Sequence, residues 1–343
     1  MLLERSVPGR RGVTLPALDI SAQPLPDEAL LRGELPLPEL SQPEVVRYFT
    51  RLSQLNYSVD THFYPLGSCT MKYNPKINDQ MSSLPGLALL HPLAPDELSQ
   101  GALKLLYRLQ EYLTEIAGMA ASGLAPMAGA QAELCGVLMI RAYHLGRGDT
   151  RRRVMLVPDS AHGTNPASAA MGGFQVASIP SNANGNMDLA ALKERAGNDL
   201  AGLMLTLPST LGLFENDILE ICDVVHRAGG LVYGDGANMN ALLGQAKLGH
   251  LGFDVAHINL HKTFAVPHGG GGPGAGPVCA GERLAPFLPA PIAAREEGAQ
   301  GGTYRLTTPP QSIGKVGAFH GNYGALVRAY CYIRSLGAEG LRQ

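Results

Sequence analysis

Long apolar runs, paired cysteines and strong charge of either sign are all missing from this 343-residue chain. No apolar stretch reaches the ~18 residues a membrane span needs, and the richest, Leu134 to Ile140, stops at Arg141. Five cysteines, at 69, 135, 222, 279 and 331, form no CxxC pair and are odd in number. That pattern argues for reduced thiols rather than a disulfide framework or a zinc site. Charged residues make up 16% with a formal net charge of −2, so there is no global basic field for nucleic acid. The leading MLLERSVPGRRG has no apolar core of signal-peptide length, and the expected compartment is the cytoplasm. Apolar side chains are abundant at 45%, which excludes a disordered chain and suits a large α/β domain. Glycine (42) and proline (25) are also abundant, and without a collagen-like period they belong in tight loops and close backbone approaches.

Residues 1 to about 50 are proline-rich, which fits either an arm that wraps a partner or a partly disordered lead-in. Pro43 and Glu44 open a short helical segment, EVVRYFTRLSQLN, with Val45, Phe49 and Leu52 on one face. The loop SVDTHFYPLGSCTMKYNP is too punctuated for a strand. From Asp96 to about Ile116, Leu98, Ala102, Leu105, Leu106, Leu109 and Leu113 recur at helical spacing.

Beyond residue 125 apolar runs alternate with helical segments. Strands are expected at Val154–Val157, Gln175–Ile179, Leu203–Leu207, Leu231–Tyr233, Val255–Ile258 and Val278–Ala280, and helices at 131–145, 188–196 and 217–228. Apolar strands separated by crossovers predict an α/β fold with a mainly parallel central sheet and helices on both faces. The expected division is an arm and loop segment over 1–95, a large α/β domain over 96–330, and the start of a further segment over 331–343.

In open parallel sheets, ligands bind beyond the carboxyl ends of the strands. Polar residues collect at those ends here: Asp159, His162 and Thr164; Ser209 and Thr210; Asp235 and Asn238; His261 and Lys262. Four strand ends aiming polar groups one way point to a single active site.

Lysine is scarce, with seven residues against twenty arginines. Lys262 follows an apolar strand in HINLHKTFAVPHGGGG, and partial desolvation there suits a Schiff base to an aldehyde cofactor. A lysine snorkelling from a strand end would look the same on position alone. Asp235, in LVYGDGANMNA, is one strand earlier, where a carboxylate can hold a protonated pyridine nitrogen or simply cap a turn. His162, in PDSAHGTNPAS, offers a ring to stack on a cofactor, although a lone loop histidine is more often solvated. Gly129 and Ala130 lead into a helix near Gln131, where free amides can face a phosphate. A tight turn into a buried helix explains that segment equally well, and GGGGPGAGP at 269–277 is either a structural hairpin or a second phosphate contact.

Taken jointly and in order, GAQAE, SAHGTNPASA, LPST, DGANMNA and NLHKTF resemble the pyridoxal-phosphate glycine dehydrogenase of the glycine cleavage system, its P-protein. FYPLGSCTMKYNP and HPLAP are similar to the same family, and the likeness runs from about Tyr48 onward. The resemblance is to the second, lysine-bearing subunit of the two-subunit form. It implies a transferase-like architecture of fold type I and pyridoxal 5′-phosphate as cofactor. By the same carry-over Lys262 is the Schiff-base residue, Asp235 pairs the pyridinium and His162 stacks on the ring. Gly129, Ala130 and Gln131 lie at the phosphate, and Thr164, Thr210, Ala237, Asn259 and His261 complete the cofactor site. The implied partners are glycine, lipoylated H-protein and P-protein subunit 1, in a heterotetramer with two copies of each chain; no nucleic acid or membrane partner is implied.

Leu211 stands where the family usually has a polar residue, and Ala132 where glycine is common. The family also continues into a small C-terminal domain beyond a helix like GNYGALVRAYCYIRSLGAEGLRQ, so independent catalysis is a weaker expectation than membership. Two other readings stay open: another fold-type-I enzyme, such as an aminotransferase or amino-acid decarboxylase, and a non-catalytic interaction subunit. A scaffold needs none of Lys262, Asp235 and His162.

Overall fold

The computed structural model describes residues 2–33, 35–64, 66, 69–267, 274–297 and 302–343. It forms two compact units, Met1–Tyr64 and Pro65–Gln343. The first five residues of the GGGGPGAGP tract lie outside the described residues.

In the first unit, α1 (Gln42–Ser53) starts at a capping box in which Glu44 accepts from both the backbone and the hydroxyl of Ser41. The chain before it folds back: Ser6 accepts from the Glu39 amide at 2.9 Å, and Arg10 pairs with Glu44 at 2.7 Å. The apolar face of α1 stays open, with Phe49 and Leu52 exposed, and Leu15, Leu18 and Leu25 are exposed in the arm.

The second unit opens with α2 (Lys76–Ser82), α3 (Pro85–Ala88) and α4 (Gln100–Ala117). It continues through β1 (Ala121–Gly123), α5 (Gly129–Gly146), β2 (Val154–Pro158), α6 (Thr164–Met171), β3 (Gln175–Ile179) and α7 (Leu189–Arg195). Next come β4 (Leu200–Thr206), α8 (Ile218–Arg227), β5 (Leu231–Gly236), β6 (Val255–Ile258), α9 (Leu260–Thr263) and β7 (Val278–Ala280). A hairpin of β8 (Ile292–Glu296) and β9 (Thr303–Thr307) precedes α10 (Tyr323–Arg342), which kinks at Gly337.

The main sheet has the order β1-β7-β6-β5-β4-β2-β3. Strands β2 to β6 pair in parallel, while β7 is antiparallel to both β6 and β1. Every expected strand is present, and β1 and the β8–β9 hairpin are additional.

Period-two alternation splits the core into two layers. Leu156, Leu203, Leu205, Val232, Ala256 and Ile258 face one cluster, with Leu109 and Leu113 of α4 and Ile221 and Val225 of α8. Met155, Met204, Tyr233 and Val255 face the other, with Val137 and Ile140 of α5 and Ala169 of α6. Helices therefore cover both faces, which is why these strands read as continuous apolar runs. Among the described residues, no helix is long and apolar enough to cross a membrane.

Candidate active site

Strand parity assembles the site on the face covered by α5 and α6. Tyr233 points to that face, so Asp235, two residues on, shares it at the carboxyl end of the strand. In the parallel register Tyr233 pairs with Val255 and Asp235 with His257, so all four side chains stand on one face. Gly136 of α5 leaves room for the tyrosine ring, since a Cβ there would lie 2.6 Å from Tyr233 Cε2.

Asp235 is 7% exposed and held at both oxygens. Oδ2 accepts from Asn165 Nδ2 at 3.1 Å, and Oδ1 accepts from the Ala237 amide at 3.1 Å. His257 Nε2 faces Oδ1 at 3.6 Å, too far for a hydrogen bond but close enough to act electrostatically. Burial alone would raise the Asp235 carboxyl. His257, the two donors and Lys262 outweigh it, and the net shift is downward, which keeps Asp235 ionised. Burial pushes the His257 ring below its ordinary value against the pull of Asp235 and Glu133. The Tyr233 hydroxyl lies 2.5 Å from His257 Nδ1, and burial drives that phenol well above its usual range. A protonated phenol donates to Nδ1, which places the imidazole proton on Nε2, toward Asp235.

A second buried carboxylate lies behind the first. Glu133 of α5 is 2% exposed, and its Oε2 accepts from Asn165 Nδ2 at 3.0 Å and from Thr164 Oγ1 at 2.9 Å. His162 Nδ1 is 2.8 Å from the same Thr164 oxygen. A continuous polar chain thus runs from exposed His162 through Thr164, Glu133 and Asn165 to Asp235.

The start of α5 meets the segment after the glycine tract. Ala128 is extended and the 18-residue helix begins at Gly129, so the amides of its first turn have no partners within the helix. A Cβ on Gly129 would overlap the side-chain amide of Asn259, and one on Gly276 would overlap the Ala128 carbonyl. Gln131 accepts from the Met127 amide at 2.7 Å and donates to the Val316 carbonyl at 2.6 Å, which fixes the loop before the helix. His261 Nδ1 accepts from the Ala275 amide at 3.3 Å.

The structure therefore gathers Asp235, Ala237, Thr164 and His162 into one hydrogen-bonded set, with Lys262 acting on it through its charge. Gly129, Asn259, Gly276 and His261 form an adjoining cradle, with Ala130 exposed in the helix's first turn. Thr210 is exposed on the turn after β4, and no hydrogen bond among the described residues ties it to this cluster. Glu133, Asn165, Tyr233 and His257 were not singled out from the sequence, although a glutamate inside the apolar α5 and a histidine inside the apolar β6 are visible signals. Among the described residues no His, Cys, Asp or Glu cluster suits a metal ion.

The residues present fit pyridoxal phosphate. An ionised, buried, doubly anchored carboxylate suits a protonated ring nitrogen, and a helix start closely approached by backbone suits a phosphate.

No family model matches the chain. Its sequence is 56% identical over 347 residues to a protein of Methylococcus capsulatus named "Probable glycine dehydrogenase (decarboxylating) subunit 2", covering 100% of this chain and 70% of that one. A protein of the same name from Thermococcus kodakarensis is 54% identical over 345 residues, with 100% and 68% covered. Among solved structures, glycine decarboxylase (P-protein) of the glycine cleavage system in inhibitor-bound form superposes with a TM-score of 0.75 at 22% identity, covering 93% of this chain and 72% of that one. Oryza sativa TDC with PLP and tryptamine superposes at 0.60 and 16% identity, with 92% and 68% covered. The fold is that of the fold-type-I pyridoxal-phosphate enzymes. Identity above one half along the whole chain makes it a member of the glycine dehydrogenase (decarboxylating) subunit 2 family.

Proposed function

We propose that this chain binds pyridoxal 5′-phosphate at Lys262 and decarboxylates glycine, passing the aminomethyl group to the lipoyl arm of an H-protein carrier. The observation that carries the reading is Asp235: buried, ionised, and held at both oxygens at the end of a central strand. When bound, the cofactor supplies an electron sink for the pair released as carbon dioxide leaves. Asp235 holds the proton on the ring nitrogen, and the Asn165 and Ala237 donors keep that carboxylate in place. Gly129, Ala130 and Gln131 offer the first-turn amides of α5 to the phosphate, with Asn259 packed against them. His162 and Thr164 would contact the ring, His261 supports the Lys262 turn, and Thr210 would contribute from the turn after β4. Lys262 would supply the amine that tethers the cofactor.

Electrons balance through the acceptor. Glycine loses carbon dioxide, one lipoyl sulfur takes the aminomethyl group, and the other leaves the reduced disulfide as a thiol. Residues 96–330 serve as the cofactor-binding domain. The working assembly pairs this chain with P-protein subunit 1, two copies of each, in the cytoplasm.

Two measurements test the reading. Glycine–bicarbonate exchange is expected only when this chain, the other subunit and lipoylated H-protein are combined, and full exchange by this chain without its partner subunit would overturn the assembly. Borohydride is expected to fix the cofactor to the Lys262 peptide; fixation at Lys247 or Lys315 would overturn the site.

A further inference from the structure

Two side chains from the segment just before α2 reach across some 190 residues of sequence to the turn that carries Lys262. Thr70 Oγ1 donates to the Lys262 carbonyl at 2.6 Å. Lys72 Nζ donates to the His261 carbonyl at 2.6 Å and to the Val266 carbonyl at 3.0 Å. Asn240 Nδ2, from the loop after Asp235, donates to the same Thr70 oxygen at 3.0 Å and so fixes the direction of its hydroxyl.

The acceptors explain the arrangement. Helix α9 is one turn long, so its carbonyls have almost no intrahelical donors, and two of them belong to His261 and Lys262. A hydroxyl and an ammonium supply the missing donors, and a cation at a helix C-terminus is also favoured by the peptide dipoles.

Backbone conformation marks the same two places. Among the described residues, the non-glycine positions with positive φ are Met71 at 46° and Ala265 at 53°. Met71 sits between Thr70 and Lys72, and Ala265 sits between Lys262 and Val266. Such backbone persists where surrounding contacts over-determine it, and it clusters at functional turns.

We propose that Thr70 and Lys72 are positioning residues for Lys262, a strap that caps the one-turn helix and fixes where the lysine side chain leaves the backbone. The inference rests on the reading of Lys262 as the cofactor lysine. It also assigns Lys72 a fate: its nitrogen is committed to two carbonyls and does not compete for the cofactor aldehyde.

Hydrogen–deuterium exchange on the full chain separates the strap from general stability. Thr70→Val keeps the shape and removes the donor, Thr70→Ser keeps the donor, and Lys72→Met removes the amine. Amides of 258–266 are expected to exchange at least tenfold faster in Thr70→Val and Lys72→Met, with peptides from β2 and β4 unchanged and Thr70→Ser within twofold of the parent. The rate at which borohydride-fixed cofactor accumulates on Lys262 is expected to fall at least fivefold in the same two variants. Unchanged exchange over 258–266 with the cofactor fixed on Lys262 overturns the strap alone, as does Thr70→Ser behaving like Thr70→Val. Fixation on another lysine overturns the reading on which the strap rests.

Discussion

Asn165 holds Asp235 through a hydrogen bond of 3.1 Å, and the same nitrogen lies 3.0 Å from Glu133. One amide therefore serves two buried carboxylates, giving one hydrogen to each. It has no freedom to turn without leaving both without their shared donor. After His257, that hydrogen bond is among the contacts that hold the Asp235 carboxyl low where burial opposes it, which is why α6, a short helix of small residues, matters to the site.

Asp235→Asn is expected to retain the cofactor and lose most of the turnover. The loss is that of one strong electrostatic group, about 2.7–4 kcal/mol, or roughly 100- to 1000-fold. Asn165→Ala acts through the carboxylate. A carboxyl whose folded pKa is depressed stabilises the fold above its unfolded value and loses that contribution as pH falls through the folded value. Without the Asn165 donor the folded value rises, so the variant is less stable at pH 7 but loses less on acidification, and the urea-midpoint gap, parent minus variant, should narrow as pH falls from 7 toward 4. Superimposable profiles would remove Asn165 from the account.

Much of this was legible in the sequence because apolar strands and their polar ends are local signals. The strands at 154, 175, 231 and 255 follow from composition, and Asp235 and Lys262 stand at their ends. What was not legible depends on parity and on long-range contact. His257 looks like an interior residue of an apolar strand until the register sets it beside Asp235. Helix α6 was not expected because TNPASAAM has no apolar stripe, and packing of Ala169 supplies what periodicity does not. The Thr70 and Lys72 contacts lie about 190 residues from their targets, beyond any spacing rule.

Tyr233→Phe tests the rear of the site. The ring packs in the same volume, but His257 Nδ1 loses its donor while remaining fully buried. An orphaned buried acceptor costs about 1–3 kcal/mol, which should appear as a lower urea midpoint with an unchanged m-value. The Nε2 proton is also no longer specified, so the ring-nitrogen resonance of bound 15N-labelled cofactor should shift. Parent-like stability and resonance together would show that the pair has no role.

Gly276→Ala probes the cradle at the start of α5. A methyl group there meets the Ala128 carbonyl, backbone that cannot swing aside as a side chain can. The first turn of α5 must shift, and with it the amides assigned to the phosphate. Cofactor affinity, followed by visible absorption during titration, is expected to fall at least tenfold. A dissociation constant within twofold of the parent would place the phosphate elsewhere.

The last prediction concerns Lys72, whose amine burial lowers to about 8. The unfolded chain keeps its ordinary, higher value, so between about pH 8 and that value the unfolded state binds the extra proton. Stability from this group therefore rises with pH across the window, and the cost of burying the charge is fully present below it. The strap survives the titration, because a neutral amine still has two N–H donors for the His261 and Val266 carbonyls. Lys72→Met lacks both the buried charge and the donors. The stability difference, parent minus Lys72→Met, should thus grow from pH 7.5 to pH 9.5, and taking the difference cancels the cysteines and tyrosines that titrate in the same range. Urea midpoints of the two proteins at both pH values measure it. A gap that stays constant or shrinks would mean that Lys72 is not buried as a charge, and the pairing with both carbonyls would then have to be abandoned.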